Sequence, residues 1–361
     1  MTADHPYAAL PDRAYWRRAV VETPLGPDLV SPDFLRVSPE DRIVTAGSCF
    51  AQHIGRHLAA AGFGYLVTEP AHPIVPPDLA RQAGYGIFSA RYGNIYTTLQ
   101  LLQLLERAYG RFRPVETAWE GPEGALVDPY RPTIQPGGFA SVVELEDDRA
   151  RHLACVREAF ETLDVFVFTL GLTEGWRSRR DGAAFPLCPG VAGGRFDPAA
   201  HLFHNLRAAE VREQLGAFVE RLRAVNPRAR VLLTVSPVPL TATATGEHVL
   251  AATTYSKAVL RVAAQEAAAE LPDVHYFPSY EIVTGPQARG RFYAENLREV
   301  TPEGVAQVMA VFLRAVAGIE TGEAVTPADE VAARDAAVAA SSAWVEAMCD
   351  EAMLDRPAVG G

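Results

Sequence analysis

Ser48 is the residue whose type and position suggest chemistry most directly. A short apolar run with Ile43 and Val44 precedes it, and a helical pattern follows over residues 51–61, so the segment predicts a strand, a tight turn and a helix. A hydroxyl between the carboxyl end of a strand and the amino end of a helix can act as a nucleophile, with backbone N–H groups beside it to hold an oxyanion. The alternative is an N-cap serine, the commonest use of serine before a helix.

The segment around Ser48 and five later segments resemble one protein family. Gly47-Ser-Cys-Phe-Ala51 resembles the sequence that names the GSCFA family, which is similar to the SGNH/GDSL hydrolases. The later segments are Tyr92-Gly-Asn-Ile-Tyr96, Thr169-Leu-Gly-Leu-Thr-Glu174, Thr234-Val-Ser-Pro-Val-Pro-Leu240, Tyr255-Ser-Lys257 and Tyr276-Phe-Pro-Ser-Tyr-Glu281. The resemblance runs from about residue 40 to about residue 315. It implies a flavodoxin-like, three-layer α/β fold and a serine-dependent site.

The resemblance also implies which groups would hold an oxyanion beside Ser48. Gly93 matches a glycine of the SGNH pattern whose N–H serves this purpose without a side chain that would obstruct the substrate, and Asn94 adds an amide donor. The Gly-Asn pair predicts a turn as well, and both interpretations can hold together. Thr173 stands where SGNH enzymes usually carry an asparagine, so its hydroxyl would be a shorter donor.

Glu174 adds a carboxylate at the same place in the pattern, where SGNH enzymes usually read Gly-x-Asn-Asp and this chain reads Gly171-Leu-Thr-Glu174. The carboxylate could orient a base or bind a substrate hydroxyl. It could also pair with Arg177, and an ion pair is the commoner role of an isolated glutamate.

The general base is missing from its usual place. SGNH hydrolases carry Asp-x-x-His before the last helix, whereas this chain has Asn296-Leu-Arg-Glu299 and no histidine after His275. Base assistance is typically worth about 10² to 10⁴ in rate, so another group would have to supply it. The candidates are His248, in the loop after the fourth strand, and His204, before a helix, because a triad is defined by geometry rather than chain order. Glu299 would be a weaker base, and either histidine could instead only cap or pack.

Cys49 and Lys257 are further reactive residues with two interpretations each. A cysteine at a helix N-terminus can be a nucleophile, but Phe50 and the apolar helix that follows favour a Cys49 side chain that packs inward. Lys257 lies one helical turn before Arg261, and together they could bind a carboxylate or phosphate of a substrate. The alternative for this pair is a solvated helix face.

The elements that would position these residues alternate regularly between strands and helices. Strands are predicted over residues 42–46, 63–68, 164–170, 230–235 and 274–277, and helices over 50–61, 97–109, 149–163, 206–225, 253–271 and 302–317. This order predicts right-handed βαβ units around a parallel sheet with helices on both faces. The loops that leave the carboxyl ends of such strands share one edge, where ligands bind. We expect a lead-in over 1–40 with one possible helix near 14–21, a single domain over 41–318 and a helical tail over 319–361.

Composition narrows the class of protein. The 361 residues are 21% charged and 48% hydrophobic with a net charge of −11, which is typical of a globular protein and argues against a nucleic-acid partner. The four cysteines have neither metal-like spacing nor the density of a disulfide scaffold. We expect no metal and no cofactor, because neither a dinucleotide fingerprint nor a P-loop is present. Without a signal sequence or an apolar span, the expectation is a cytoplasmic protein with no membrane partner.

The function predicted from these observations is acyl transfer through a seryl ester at Ser48, as an esterase or an O-acyltransferase. The substrate would be an acylated sugar or another small metabolite, with Gly93, Asn94 and Thr173 at the oxyanion and His248 or His204 relaying the proton. One alternative is a ligand-binding protein of the same fold that lacks the base. Another is an enzyme for a different condensation, in which Glu174 and Lys257 grip an amino-acid-like substrate.

Overall fold

A parallel four-stranded sheet organises the chain in the computed structural model, which describes residues 5–25, 29–31, 34–317 and 354. The strands of this sheet are β1 (Ile43–Gly47), β4 (Val165–Leu170), β8 (Arg230–Val235) and β9 (Val274–Phe277), and they lie in the order β1-β4-β8-β9. Every neighbouring pair is parallel, and β1 runs beside β4 from Ile43 opposite Val165 to Gly47 opposite Thr169. The predicted α/β fold with a parallel sheet is confirmed.

Helices cover both faces of the sheet, which gives the three layers. The described helices are α1 (Cys49–Ala60), α2 (Pro77–Gln82), α3 (Thr98–Ala108), α4 (Val142–Thr162), α5 (Ala208–Val225), α6 (Val249–Glu270), α7 (Ser279–Thr284) and α8 (Pro302–Ala317). Alternate strand residues point to opposite faces, so Phe166 and Phe168 pack towards α3, α4, α5 and α6. Val165 and Val167 pack towards α1, α7 and α8 instead. Continuous apolar strands buried on both faces are typical of parallel sheets.

The strand predicted over residues 63–68 is not formed. Tyr65 makes one isolated parallel bridge to Ile43, and the Leu66 N–H donates to the Ile43 carbonyl at 2.9 Å. The pairing ends there because the Thr68 N–H donates to the carbonyl of Ser89 instead. This side of the sheet is therefore closed by an irregular segment.

A small antiparallel sheet forms between β4 and α5, where no strand was predicted. It consists of β5 (Glu174–Ser178), β6 (Ala184–Phe185) and β7 (His201–Asn205), with β5 in the middle. A second pair, β2 (Trp119–Glu120) and β3 (Leu126–Val127), lies in the region between α3 and α4. Helix α4 also begins at Val142, seven residues before the predicted start, because the Ser141 hydroxyl caps it by accepting the Glu144 N–H. These additions build the rim around the carboxyl ends of the main strands.

The last residues of the lead-in contact the domain. Its helical turns are Pro6–Ala9, Asp12–Ala14 and Arg17–Glu22. Phe34 and Leu35 join the core beside α8, and the Val37 N–H donates to the Val316 carbonyl at 2.9 Å. The helical tail expected over 319–361 lies outside the described residues except for Leu354. Within the described part of the chain, none of the helices combines the length and apolar character needed to cross a bilayer.

Candidate active site

Ser48 lies at the junction between β1 and α1. Gly47 has φ +138°, and a Cβ there would lie 2.9 Å from the Thr169 Cβ and closer still to the Thr169 carbonyl oxygen. Only glycine fits this position, because L side chains rarely adopt such a φ and β4 is too close. The chain then turns at Ser48 (φ −73°, ψ 178°), whose carbonyl accepts the Ala51 N–H at 2.9 Å.

The Ser48 hydroxyl is buried and unused by the helix. Ser48 occupies the N-cap position but its side chain makes no capping hydrogen bond. The residue is 4% exposed, and its Oγ has no hydrogen-bond partner among the described residues. The side-chain cap, the alternative role expected for this serine, is therefore not made. A buried hydroxyl without a partner costs about 1 to 3 kcal/mol, and a substrate bound beside Ser48 could supply the missing hydrogen bond.

Gly171, immediately after β4, packs against Ser48. A Cβ at Gly171 would lie 3.2 Å from the Ser48 Cβ and 3.2 Å from the Tyr96 carbonyl oxygen. The N–H groups of Gly171 and Leu172 both donate to this Tyr96 carbonyl, at 3.2 and 3.0 Å. The loop after β4 and the segment before α3 are thus joined beside the serine.

Lys257 reaches the same point from α6. Its side chain is fully buried, and its Nζ donates to the Gly171 carbonyl at 2.8 Å. The solvated helix face expected as an alternative for Lys257 does not apply. Arg261, one turn later, instead pairs with Glu281. Lys257 and Ser48 therefore both contact a single residue, Gly171.

Of the groups expected at the oxyanion, Gly93 and Asn94 adjoin the end of β1, and Thr173 lies two residues after Gly171. Thr173 is fully buried, and its Oγ1 has no hydrogen-bond partner among the described residues. Gly93 adopts φ +68° in a turn, and a Cβ there would meet open space. Asn94 follows it and is buried, and the Ile95 N–H donates to the Gly47 carbonyl at 2.9 Å. The Gly-Asn segment is thus both a turn and a neighbour of Ser48, while its role at an oxyanion stays a prediction.

Gln52 is a site residue that the sequence analysis missed. It lies one turn after Ser48 on α1, is fully buried, and its Oε1 has no partner among the described residues. With Gly93 and Asn94 it lines a small cleft with about 20 Å³ of space for the centres of ligand atoms. The spacing of four residues from Ser48, which puts both on one face of a helix, was the available signal.

The two candidate histidines are engaged elsewhere. His248 is exposed and caps α6, with its Nδ1 accepting the Leu250 N–H at 3.1 Å. In neutral imidazole this places the proton on Nε2, so neither ring nitrogen is an available acceptor. His204 lies on β7 with its Nε2 2.9 Å from Glu210 Oε1. Neither ring is hydrogen-bonded to Ser48, and their role as base stays a prediction without support from these contacts.

Glu174 binds a neighbouring loop instead of pairing with Arg177. Its carboxylate accepts the Thr243 hydroxyl at 2.7 Å and the Ala244 N–H at 3.1 Å, and no ion pair joins it to Arg177 among the described contacts. Glu174 therefore holds the loop that precedes α6 against the start of β5.

Cys49 is buried and packs against Val238, so the prediction of an inward side chain is confirmed. His53, on the next turn of α1, is also buried, and burial together with the charge of Arg56 lowers its pKa to about 3. The imidazole is neutral at physiological pH and packs against the ring of Phe50, with ring centres 5.8 Å apart.

An apolar pocket with about 290 Å³ of space for the centres of ligand atoms opens beside Thr173. Both chain neighbours of Thr173 line it, together with the rings of Trp176 and Phe203 and the side chain of Leu240. Pockets of this size and character take the apolar part of small ligands. Among the described residues, no group of three or more His, Cys, Asp or Glu side chains is placed to hold a metal ion.

The sequence model of the GSCFA family matches residues 42–312, most of the chain. The chain belongs to the GSCFA family. No curated protein matches this GSCFA chain. A solved structure, the Clostridium thermocellum family 3 carbohydrate esterase, is similar with 11% identity over 76% of this chain and 94% of that chain, at a TM-score of 0.32, which is too low to support an argument about activity.

Proposed function

We propose that this GSCFA protein transfers acyl groups through an ester on Ser48, as an esterase or an O-acyltransferase acting on an acylated sugar or another small metabolite. One observation carries the proposal: the Ser48 hydroxyl is buried at a helix N-terminus and takes part in neither a cap nor any other described hydrogen bond. A nucleophile needs its lone pair free for the substrate. A cytoplasmic location and a small-molecule substrate stay predictions within this proposal.

The reaction follows from the groups around Ser48. Its Oγ attacks the carbonyl carbon of an ester while the hydroxyl proton passes to a base. The resulting oxyanion accepts hydrogen bonds from the Gly93 N–H, the Asn94 amide and the Thr173 hydroxyl, donors of the kind that stabilise tetrahedral intermediates. The alkoxide leaves with a proton, and water or an acceptor hydroxyl then attacks the ester on Ser48. The apolar pocket beside Thr173 would take the acyl chain.

Lys257 is the residue we assign as the base. Lysine replaces histidine in some serine nucleophile systems, and the buried amine of Lys257 donates to the carbonyl of Gly171, the residue that packs against Ser48. His248 and His204 are the alternatives, and each would first have to leave its present partner.

The second candidate function is ligand binding without catalysis. It is favoured by the fact that no described imidazole or carboxylate is hydrogen-bonded to the Ser48 hydroxyl. The condensation of an amino-acid-like substrate is less favoured, because Lys257 donates to Gly171 and Glu174 accepts from its neighbouring loop.

Labelling with a fluorophosphonate probe, measured by intact-mass spectrometry, tests the proposal. We expect one adduct on the wild type and none on Ser48→Ala. Ser279→Ala is the matched control, because Ser279 is equally buried and its Oγ also has no partner among the described residues. This variant should label like the wild type. If the folded wild type takes no adduct, acyl transfer at Ser48 is wrong and ligand binding becomes the better account.

A further inference from the structure

A buried cluster of charged side chains lies beside the proposed site and takes no part in the reaction described above. It contains four guanidinium groups and three carboxylates, from Arg91, Arg107, Arg131, Arg149, Glu69, Asp128 and Asp148. His152 contacts Glu69, but burial lowers the pKa of His152 to about 4, so it adds no charge at neutral pH. The cluster therefore carries one more positive charge than negative charges.

Arg107, on α3, is the cation without an ion-pair partner. Its guanidinium makes no hydrogen bond and no ion pair within 4 Å among the described residues. It stacks over the ring of Tyr130 at 4.0 Å and is 9% exposed. Burial lowers its pKa to about 10, with Asp128 acting in the opposite direction, so it is still charged at neutral pH. A buried unpaired cation is costly and is rare in a purely structural role.

Arg107 and Arg131 line one cleft, which we name the arginine cleft. The space within it that the centres of ligand atoms can occupy is about 20 Å³, and Tyr130, Gln103 and Asn94 also line it. One nitrogen of each guanidinium, Nη2 of Arg107 and Nη1 of Arg131, is fully buried and has no hydrogen-bond partner among the described residues. The described residues that line the cleft include neither aspartate nor glutamate. Arg107 thus brings a cation without an ion-pair partner to the wall of the cleft, next to Arg131, which is already paired with Asp128 and Asp148.

The arginine cleft adjoins the proposed active site. Asn94 and Ile95 form part of its wall, and the Ile95 N–H donates to the carbonyl of Gly47, the residue before Ser48. Pro186 lines both the arginine cleft and the apolar pocket. A ligand could therefore place a charged group in one space and an apolar group in the other.

We propose that the arginine cleft binds an anionic oxygen group, a carboxylate or a phosphate, on the molecule that reacts at Ser48. Guanidinium groups pair with both kinds of anion through two parallel hydrogen bonds. The substrate class would then be an anionic ester or acceptor rather than a neutral acylated sugar. That the anionic group belongs to the molecule that reacts at Ser48 rests on the function proposed above. The binding of an anion at Arg107 and Arg131 does not depend on that function.

Calorimetric titration with small ions tests the arginine cleft directly. Wild type and Ser48→Ala are titrated with succinate, with inorganic phosphate and with succinamide, the neutral analogue of succinate. We expect one site for at least one of the two anions and none for succinamide. Arg107→Met should weaken this binding about ten- to hundred-fold, the loss typical of a hydrogen bond to a charged group. The control is Arg111→Met, which removes an exposed guanidinium just beyond α3 and should leave the affinity unchanged.

The outcomes separate the two proposals. Binding of succinate alone identifies a carboxylate, binding of phosphate alone identifies a phosphate, and either supports the cleft if Arg107→Met weakens it. Absence of binding by both anions, or binding that Arg107→Met leaves intact, overturns it. If Arg107→Met does not fold, Arg107→Lys replaces it in the test. This variant keeps the positive charge but cannot form two parallel hydrogen bonds, so it must bind the anion more weakly than the wild type. Ser48→Ala should bind like the wild type, so a failure to label Ser48 would leave this result standing.

Discussion

Gly171 faces Ser48 so closely that a methyl group on Gly171 would lie 3.2 Å from the Ser48 Cβ. The carbonyl of the same glycine accepts a hydrogen bond from Lys257, and its N–H donates to Tyr96. One small residue of the loop after β4 thus contacts three other segments around the hydroxyl: the end of β1, the segment before α3 and the buried lysine of α6.

Substitution of Gly171 should therefore affect the serine more than the fold. In Gly171→Ala the new methyl group would push Ser48 or the Tyr96 carbonyl aside by a few tenths of an ångström. Because misplacement by about 1 Å can cost on the order of a hundred-fold in rate, we expect the rate of fluorophosphonate labelling to fall by about three- to ten-fold. Gly216→Ala on α5, where a Cβ would meet open space, is the control and should label normally. Equal labelling rates in the two variants would contradict the contact.

The assignment of Lys257 as base predicts a difference between two variants. Lys257→Met keeps the buried stem but removes the amine, and we expect labelling to slow by about 10² to 10⁴, the usual contribution of a general base. His248→Ala removes an exposed N-cap, so it should cost only about 1 kcal/mol of stability and leave the labelling rate unchanged. The reverse result, slow labelling of His248→Ala and a normal labelling rate for Lys257→Met, would assign the role of base to His248. Binding of succinate or phosphate in the arginine cleft provides the check that Lys257→Met is folded.

Local patterns were sufficient to predict most of the main sheet. The apolar runs that became β4 and β8 bury both faces, and such runs are recognisable without knowledge of their partners. The segment 63–68 was equally suitable as a strand by its sequence, but its pairing with β1 depended on where the chain around Ser89 lies. The antiparallel sheet of β5, β6 and β7 depends on similar long-range contacts. Segments whose hydrogen bonds are made with distant parts of the chain were the ones predicted wrongly.

The candidate site was predicted in part for the same reason. Ser48 and Gly93 could be placed because a turn and the start of a helix are local features. Arg107 could not be predicted as a site residue, because its sequence context is an ordinary leucine-rich helix. Its burial depends on Tyr130, a residue distant in sequence that packs over its guanidinium. Lys257 resembled a surface residue for a similar reason, since only the position of Gly171 shows that its amine is buried.

Acid should destabilise the helix that carries Ser48. Burial and the charge of Arg56 lower the pKa of His53 to about 3, below the ordinary value of about 6.5. The unfolded chain therefore binds a proton more readily than the folded chain, and stability is lost as the pH falls from about 6.5 towards 3. Urea unfolding at pH 7, 5.5 and 4.5 should show a smaller decrease for His53→Leu than for the wild type. His72→Leu, at an exposed position, is the control and should keep the wild-type decrease.

The surplus positive charge of the buried cluster leads to a final prediction about stability. Burial would raise the pKa of Asp128, but Arg131, Arg149 and Arg107 together hold it well below its usual range. Asp128→Asn removes this compensating charge and should cost about 3 to 5 kcal/mol, as breaking a buried pair does. Arg107→Met removes the cation that lacks a partner, so we expect its free energy of unfolding to equal or exceed that of the wild type. In the double variant Arg107→Met should recover part of the Asp128→Asn loss, because one fewer buried positive charge is left uncompensated. Urea unfolding of the four proteins measures this coupling, and a destabilised Arg107→Met with simple additivity would mean that Arg107 serves the fold rather than a ligand.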